Sequence, residues 1–360
     1  PQEGERVSQN NARSVQVEVT EAPEKILYFE GEPRFEAKFL RRALADDENI
    51  QVVILQRTAE DKFLRLDVDD GDELAGGFPV TREELFKYRG LVIGSVEASY
   101  FTHDQLAMIA DFVSQRGGGF LMLGGRWSFS EGGYGGTPVE EALPVVLDEP
   151  ALDAHAAFAP VKVQPTVAGL GHVAAQIHPD GSADAERWDS LPSLSVMNHI
   201  RSVKPGATTL LAGDAGDGSR VILAYHRYGR GKAVAFPVID SWQWQFHTDI
   251  SVEDQTHETF WRQLLRWLVD GVPDYVDART EQESVEAGEA VRILTEINDS
   301  AYVEVNDASV EATLTAPDGS VQVVPLDWTV DRDGEYAGSF NPAMEGEYQI
   351  QIQAHRGGDH

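Results

Sequence analysis

The sequence predicts an α/β domain built on a parallel sheet, followed by a small all-β sandwich. Three observations carry that reading. Leu91 to Gly94, a helix running to Val113 and Phe120 to Leu123 read as strand, helix, strand, an order that implies a right-handed crossover and parallel strands. An earlier unit repeats the theme, with the apolar run Ile26 to Phe29 leading into a helix through about Ala45. After Pro273 the helical period disappears, and short alternating runs separated by turn residues take over.

Ser14 to Thr20 alternates apolar and polar side chains as a half-buried strand does, so residues 1–22 read as a linker or as the closing strand of an upstream β domain. Pro33 is placed to start the first helix, where Phe35, Phe39, Leu40 and Ala43 share a face. Val52 to Leu55 is a short apolar strand, and Thr81 with Glu84 has capping-box spacing at the head of a short helix. Thr102 with Gln105 repeats that spacing, Leu106, Ile109, Ala110 and Val113 line one face, and Gly117 to Gly119 stop the helix. The stretch from Pro138 to Pro205 has weak periodicity and reads as loops and short strands on the sheet edge. Strands are expected at Thr209 to Ala212, Val221 to His226 and Lys232 to Ile239, then a helix from Thr256 to Asp270 ended by Gly271 and Pro273. Beyond it, Val291 to Ile297, Val310 to Thr315, Val321 to Leu326, Tyr336 to Phe340 and Gly346 to Ile352 supply the strands of the sandwich. The expected boundaries are therefore 23–272 for the α/β domain and 273–360 for the β domain.

The formal net charge of -31, from 60 acidic and 29 basic residues, repels nucleic acid and anionic lipid at long range. Most of the basic residues are arginine, which suits either a high-salt habitat or a GC-rich genome. The chain has no cysteine, which removes disulfides, thiolate metal sites and thiol catalysis and leaves the compartment open. No apolar run approaches the roughly 18 residues of a membrane span. The abrupt opening PQEGERVSQNN reads as an excised fragment.

The segment GGGFLMLGGRWSFSEGGYGG, Gly117 to Gly136, carries the architecture of a site. A buried strand ends at Gly124-Gly125, where a sharp turn lets backbone approach a ligand closely. In α/β folds a nucleophile elbow sits at such a turn, yet here it bears only Gly124, Gly125 and Arg126.

With these segments, and with ILYFEGEPRFEAKFLRRAL, YGRGKAVAFPVIDSWQWQF and HETFWRQLLRWLVDGVP, the chain resembles the class I glutamine amidotransferase-like domains of large bacterial membrane-anchored proteins. The resemblance spans most of Pro23 to Pro273. It implies a flavodoxin-like three-layer domain, and it implies relatives carrying membrane helices elsewhere, so the fragment is expected to be extracytoplasmic, periplasmic or at the cell surface. The tail resembles an immunoglobulin-like module. Members of the amidotransferase class use a Cys on the elbow, with a His and a Glu after a late strand, and the thiolate attacks the glutamine amide. This chain departs at each place, with Gly124-Gly125-Arg126 at the elbow and Asp240-Ser241-Trp242-Gln243-Trp244 after the late strand.

In an open parallel sheet, loops converge at the carboxyl edge, where ligands bind. The candidates there are Glu30, Glu32 and Arg34 after the first strand, Glu97, the elbow Gly124, Gly125 and Arg126, and Asp240 with Trp242 and Trp244. The plain alternative is a set of arginine–carboxylate pairs holding loops together, with the tryptophans packed in the core. His247, Asp249, Asp254, His257 and Glu258 are metal-ligand types, but their spacing matches no zinc motif, and no metal or cofactor is expected. Ser95, Ser128 and Ser130 lie outside any G-x-S-x-G setting, and Tyr228 to Gly231 reads as a hairpin turn and not as a phosphate loop.

The expected role is a non-catalytic domain for binding an unknown small ligand or for assembly with other envelope proteins, without nucleic acid and without membrane contact of its own. The competing class is a hydrolase using carboxylates or a bound metal at the same edge.

Overall fold

The computed structural model describes residues 23–356 apart from 148–158, 179–183, 197, 199, 215–218, 252, 283 and 287. The strand expected at Ser14 to Thr20 lies outside the described residues.

The first half of the chain runs β1 (Glu24–Glu30), α1 (Phe35–Leu44), β2 (Ile50–Ala59), β3 (Lys62–Leu66), α2 (Arg82–Leu85), β4 (Gly90–Ile93), α3 (His103–Ser114), β5 (Gly119–Leu123), α4 (Pro138–Ala142) and β6 (Val145–Leu147). It continues through β7 (Ala159–Pro165), α5 (Val167–Leu170), α6 (Asp184–Ser190), β8 (Leu194–Val196), β9 (Ile200–Val203), β10 (Thr208–Asp214), β11 (Ser219–Tyr228), β12 (Gly231–Phe236), α7 (Gln243–Phe246) and α8 (Thr256–Val269). The tail holds β13 (Val276–Thr280), β14 (Val291–Ile297), β15 (Ser309–Thr315), β16 (Val321–Trp328), β17 (Glu335–Phe340) and β18 (Gln349–His355).

Ten strands form one sheet in the order β3-β2-β1-β4-β5-β12-β11-β10-β7-β8. The five from β2 to β12 are mutually parallel, in register such as Tyr28 with Ile54 and Val92 with Leu121. Their order corresponds to 2-1-3-4-5 among the parallel strands, that of doubly wound sheets. The remaining pairings are antiparallel, including the β2–β3 hairpin and the run from β12 to β8. The parallel strands are near-continuous apolar runs because both faces are covered. Ile26, Tyr28, Val52 and Ile54 pack with α1 and α8 on one face. Leu27, Phe29, Val53 and Leu55 pack with α2, α3 and α4 on the other. Both capping boxes form, Thr81 with Glu84 and Thr102 with Gln105, each side chain reaching the other's backbone N–H. The weakly periodic 138–205 segment supplies β7 and β8 at the far edge of the sheet and the small β6–β9 pair.

The six tail strands form one antiparallel sheet, β13-β14-β17-β16-β15-β18. Strand pairing between its two halves runs through Asp327 and Trp328 of β16, which pair with Ala337 and Tyr336 of β17. Ile293 and Tyr336 from one half share a core with Ala312, Leu314 and Leu326 from the other, so the sheet curls around its own interior. A seam joins this sheet to the first. Arg116, nearly fully buried, lies 4.2 Å from the Tyr302 ring centroid and donates to Phe86 O at 3.0 Å and Pro273 O at 2.7 Å. Tyr302 donates to the same Pro273 oxygen.

Gly119 opens β5 against α8. A Cβ there would lie 2.3 Å from the Leu268 carbonyl oxygen, a backbone atom that cannot give way alone. Gly119→Ala is expected to destabilise the protein by about 2 kcal/mol in urea unfolding. Gly71→Ala, where a Cβ meets nothing within 4 Å, is expected to stay within about 0.5 kcal/mol of the parent.

Candidate functional site

The carboxyl ends of β1, β4, β5 and β12 meet around one buried carboxylate. Glu30, the last residue of β1, is 0 % exposed and accepts four hydrogen bonds. The donors are Tyr28 Oη at 2.6 Å, Arg34 Nη2 at 2.7 Å and Nε at 3.1 Å, and the Ser95 N–H at 2.9 Å. Arg34 Nη1 crosses to Gly124 O at 2.6 Å, so one guanidinium bridges the first strand and the elbow. Burial alone would lower the Arg34 pKa, but the Glu30 carboxylate outweighs it and keeps the group charged. The Tyr28 phenol is pushed well above its ordinary range by burial and by Glu30.

The elbow is locked from the other side by Asn198. Its Oδ1 accepts the Gly125 N–H at 2.9 Å, and its Nδ2 donates to Gly125 O at 2.9 Å, Ser128 O at 3.2 Å and Glu131 Oε2 at 2.7 Å. There is no room here for a side chain. A Cβ at Gly124 would lie 2.4 Å from the Pro237 backbone, and one at Gly125 would lie 2.7 Å from Ser95 Cβ. Arg126 is exposed and rests over the Trp127 ring at 5.1 Å.

The other candidates find separate partners. Glu32 Oε1 accepts from Ser95 Oγ at 2.7 Å. Glu97 makes a two-pronged pair with Arg57 at 2.8 and 2.7 Å, and those hydrogen bonds hold its carboxyl below the usual range. Asp240 accepts the Ser195 N–H at 2.8 Å and bonds Gln243 Nε2, while burial raises its pKa. Trp242 and Trp244 do not extend a strand. Trp242 is the N-cap of α7 and Trp244 lies within its helical turn, so they take different partners. Trp244 is fully buried against Trp188 and Phe260, and half-buried Trp242 stacks on Phe39 with centroids 6.1 Å apart. The metal-type residues also disperse. Asp254 pairs with Arg187, Glu258 with Gln245, and His247 faces Asp249 at 3.5 Å. Among the described residues, no three metal-ligand side chains gather.

Sequence reasoning missed Asn198, which lies in the weakly periodic segment, and it missed a second buried cluster. Ser241 bonds Glu36 Oε1, Trp261 Nε1 donates to Ser241 Oγ at 3.0 Å, and His257 Nε2 lies 3.3 Å from that oxygen. All four side chains are at most 1 % exposed, which leaves a Ser-His-Glu grouping sealed from solvent. Glu36 Oε2 and His257 Nδ1 are buried without a hydrogen-bond partner among the described residues. Burial pushes Glu36 up to about 7 and His257 down to about 3, so the imidazole is neutral. A neutral imidazole without a carboxylate to orient it lacks the arrangement of a nucleophilic triad.

The family described as "Putative glutamine amidotransferase" matches residues 70–270, more than half of the chain. The chain belongs to this amidotransferase-like family. The match includes the elbow, Asn198 and Asp240, and begins after Glu30, Arg34 and Glu36. Being cysteine-free, this member lacks the catalytic Cys of class I amidotransferases. Among solved structures it is similar to a cytoplasmic protein of Salmonella typhimurium LT2, with 22% identity over 68% of this chain and 99% of that chain, TM-score 0.48. A second cytoplasmic protein of Salmonella typhimurium matches with 17% identity over 68% of this chain and 98% of that one, TM-score 0.48. A β-galactosidase from Rahnella sp. R3 matches at 15% identity over 92% of this chain and 41% of that one, TM-score 0.37. No curated protein matches the chain. These comparisons correct the expectation of a periplasmic or cell-surface fragment of a membrane-anchored parent. Both Salmonella proteins are titled cytoplasmic. Separately, among the described residues no helix is long and apolar enough to cross a membrane.

Two substitutions separate the roles of the buried carboxylates. Glu30→Gln leaves Arg34 without its counter-charge and is expected to cost about 3 kcal/mol in urea unfolding. Glu36 has a raised folded-state pKa, so its contribution is full below the unfolded value of 4.5 and is lost as pH rises through about 7. Glu36→Gln removes that loss. The variant is expected to gain up to about 3 kcal/mol over the parent at pH 8 and almost nothing at pH 4 in paired unfolding curves.

Proposed function

We propose that this chain is a non-catalytic amidotransferase-like domain that works by binding a ligand or partner. The observation that carries the reading is the state of Gly125. Its N–H and C=O are both held by Asn198, and a side chain at that position would collide with Ser95. An acyl-transfer site needs a nucleophile on the elbow and free backbone donors aimed at the developing oxyanion. Here the elbow carries no nucleophile, and the Gly125 amide already has an acceptor. The carboxylates that a hydrolase would use instead, Glu30, Glu97 and Asp240, are each committed to a hydrogen-bonded partner.

Within this reading, residues 23–272 are the binding domain and 273–360 an immunoglobulin-like spacer module. Glu32, Arg126 and Trp242, the candidates left accessible at the carboxyl edge, are the side chains that would meet a ligand there, with Arg34 and Gly124 fixing the loops behind them. The buried Trp244 supports that surface from within.

The purified chain is expected to release no ammonia from glutamine above the protein-free rate, with or without added magnesium, manganese or zinc. Coupled glutamate dehydrogenase reads that release. Glutaminase activity abolished by Glu97→Gln or Asp240→Asn would overturn the reading in favour of a carboxylate-dependent hydrolase.

A further inference from the structure

The α1 face of the sheet is left open at β2 and β3. β2 continues into a hairpin with β3 instead of a crossover helix, so the strands at that edge have no helix of their own above them. A cavity of about 650 Å³ runs beside α1, from Asp47 and Ile50 at the start of β2 to Gln56 and Arg34 at its carboxyl end. That volume suits a small organic ligand. Its apolar floor includes Val52, Ile54 and Leu66.

Arg34, Lys38, Arg41 and Arg42 line the cavity beside Asp47 and Asp67, a net positive set in a chain with net charge -31. Lys38, Arg41 and Arg42 project from α1 along the opening. Arg41 reaches over to Asp67 just beyond β3, at 2.5 and 2.8 Å. Asp67 adopts φ 59, a left-handed conformation that a non-glycine residue seldom takes. Lys38 and Arg42 are exposed and have no carboxylate partner among the described residues. An apolar floor beneath uncommitted cations is complementary to one kind of molecule. We propose that this cavity binds a small amphipathic anion, an apolar chain ending in a carboxylate, with the chain over Val52, Ile54 and Leu66 and the headgroup on Lys38 and Arg42.

The proposal does not rest on the elbow, and the outcome of the glutaminase assay leaves it untouched. Calorimetric titration of the full chain with octanoate tests it, with 1-octanol as the uncharged control. Octanoate is expected to saturate one site per chain, and octanol to bind at least about tenfold more weakly. Lys38→Glu, an exposed change that should not disturb folding, is expected to weaken octanoate binding by about tenfold. Leu66→Trp, which fills the cavity, should abolish binding in a protein that still melts cooperatively. Asp67→Asn frees Arg41, keeps a residue type tolerant of the left-handed backbone, and should tighten binding. Absence of saturable octanoate binding, equal affinity for octanol, or unchanged affinity in Lys38→Glu would overturn the proposal.

Discussion

The buried carboxylate of Glu30 organises the carboxyl edge of the parallel sheet. An ionised group with no solvent contact is tolerated only where hydrogen bonds and an opposite charge replace its hydration. Tyr28, Arg34 and the Ser95 amide do so, and each belongs to a different part of the edge. The arrangement constrains its neighbours. Gly94 must be glycine, because a Cβ there would lie 2.4 Å from Glu30 Oε2. Arg34, held by Glu30, is then in place to take the Gly124 carbonyl and fix the elbow from one side while Asn198 fixes it from the other. Where related chemistry would require a reactive side chain and open donors, this chain has invested its polar groups in holding loops together.

Much of the α/β architecture was legible because its signals are local. The capping boxes at Thr81 and Thr102 formed as their spacing required, and the apolar runs at β1, β4 and β5 became buried central strands. The strands of the tail fell close to their alternating segments, with β14 at Val291–Ile297 as expected. The elements that escaped are those whose stability is tertiary. β7 and β8 are edge strands defined by what they pair with, and β3 exists because β2 turns back on itself. The segment after the late strand is of the same kind, since the Asp240 carboxylate bonds Gln243 and the backbone closes into a turn that places Trp242 and Trp244.

For the candidate residues, position at the carboxyl edge was legible and wiring was not. Loop ends at the carboxyl edge could be named from strand order, since the topology itself brings them together. Which carboxylate meets which arginine depends on distances between residues far apart in sequence, as with Arg57 and Glu97. His257 drew notice as a metal-ligand type, whereas its neighbours are Ser241 and Trp261, one of them sixteen positions earlier and the other one helical turn on. Asn198 carried no local signal at all, because its role consists entirely of contacts to residues about seventy positions away.

The seam at Pro273 has a consequence for how the polypeptide can be divided. Strand order separates the two sheets cleanly, which invites a cut at that proline. Yet the Pro273 carbonyl is the acceptor for both Arg116 and Tyr302, and Tyr302 supplies the ring under which Arg116 is buried. A piece ending at Val272 would uncover an arginine with half of its partners gone and would bare Phe86 beside it. The boundary between the sheets is a boundary of topology only, and the first sheet is finished by residues that belong to the second.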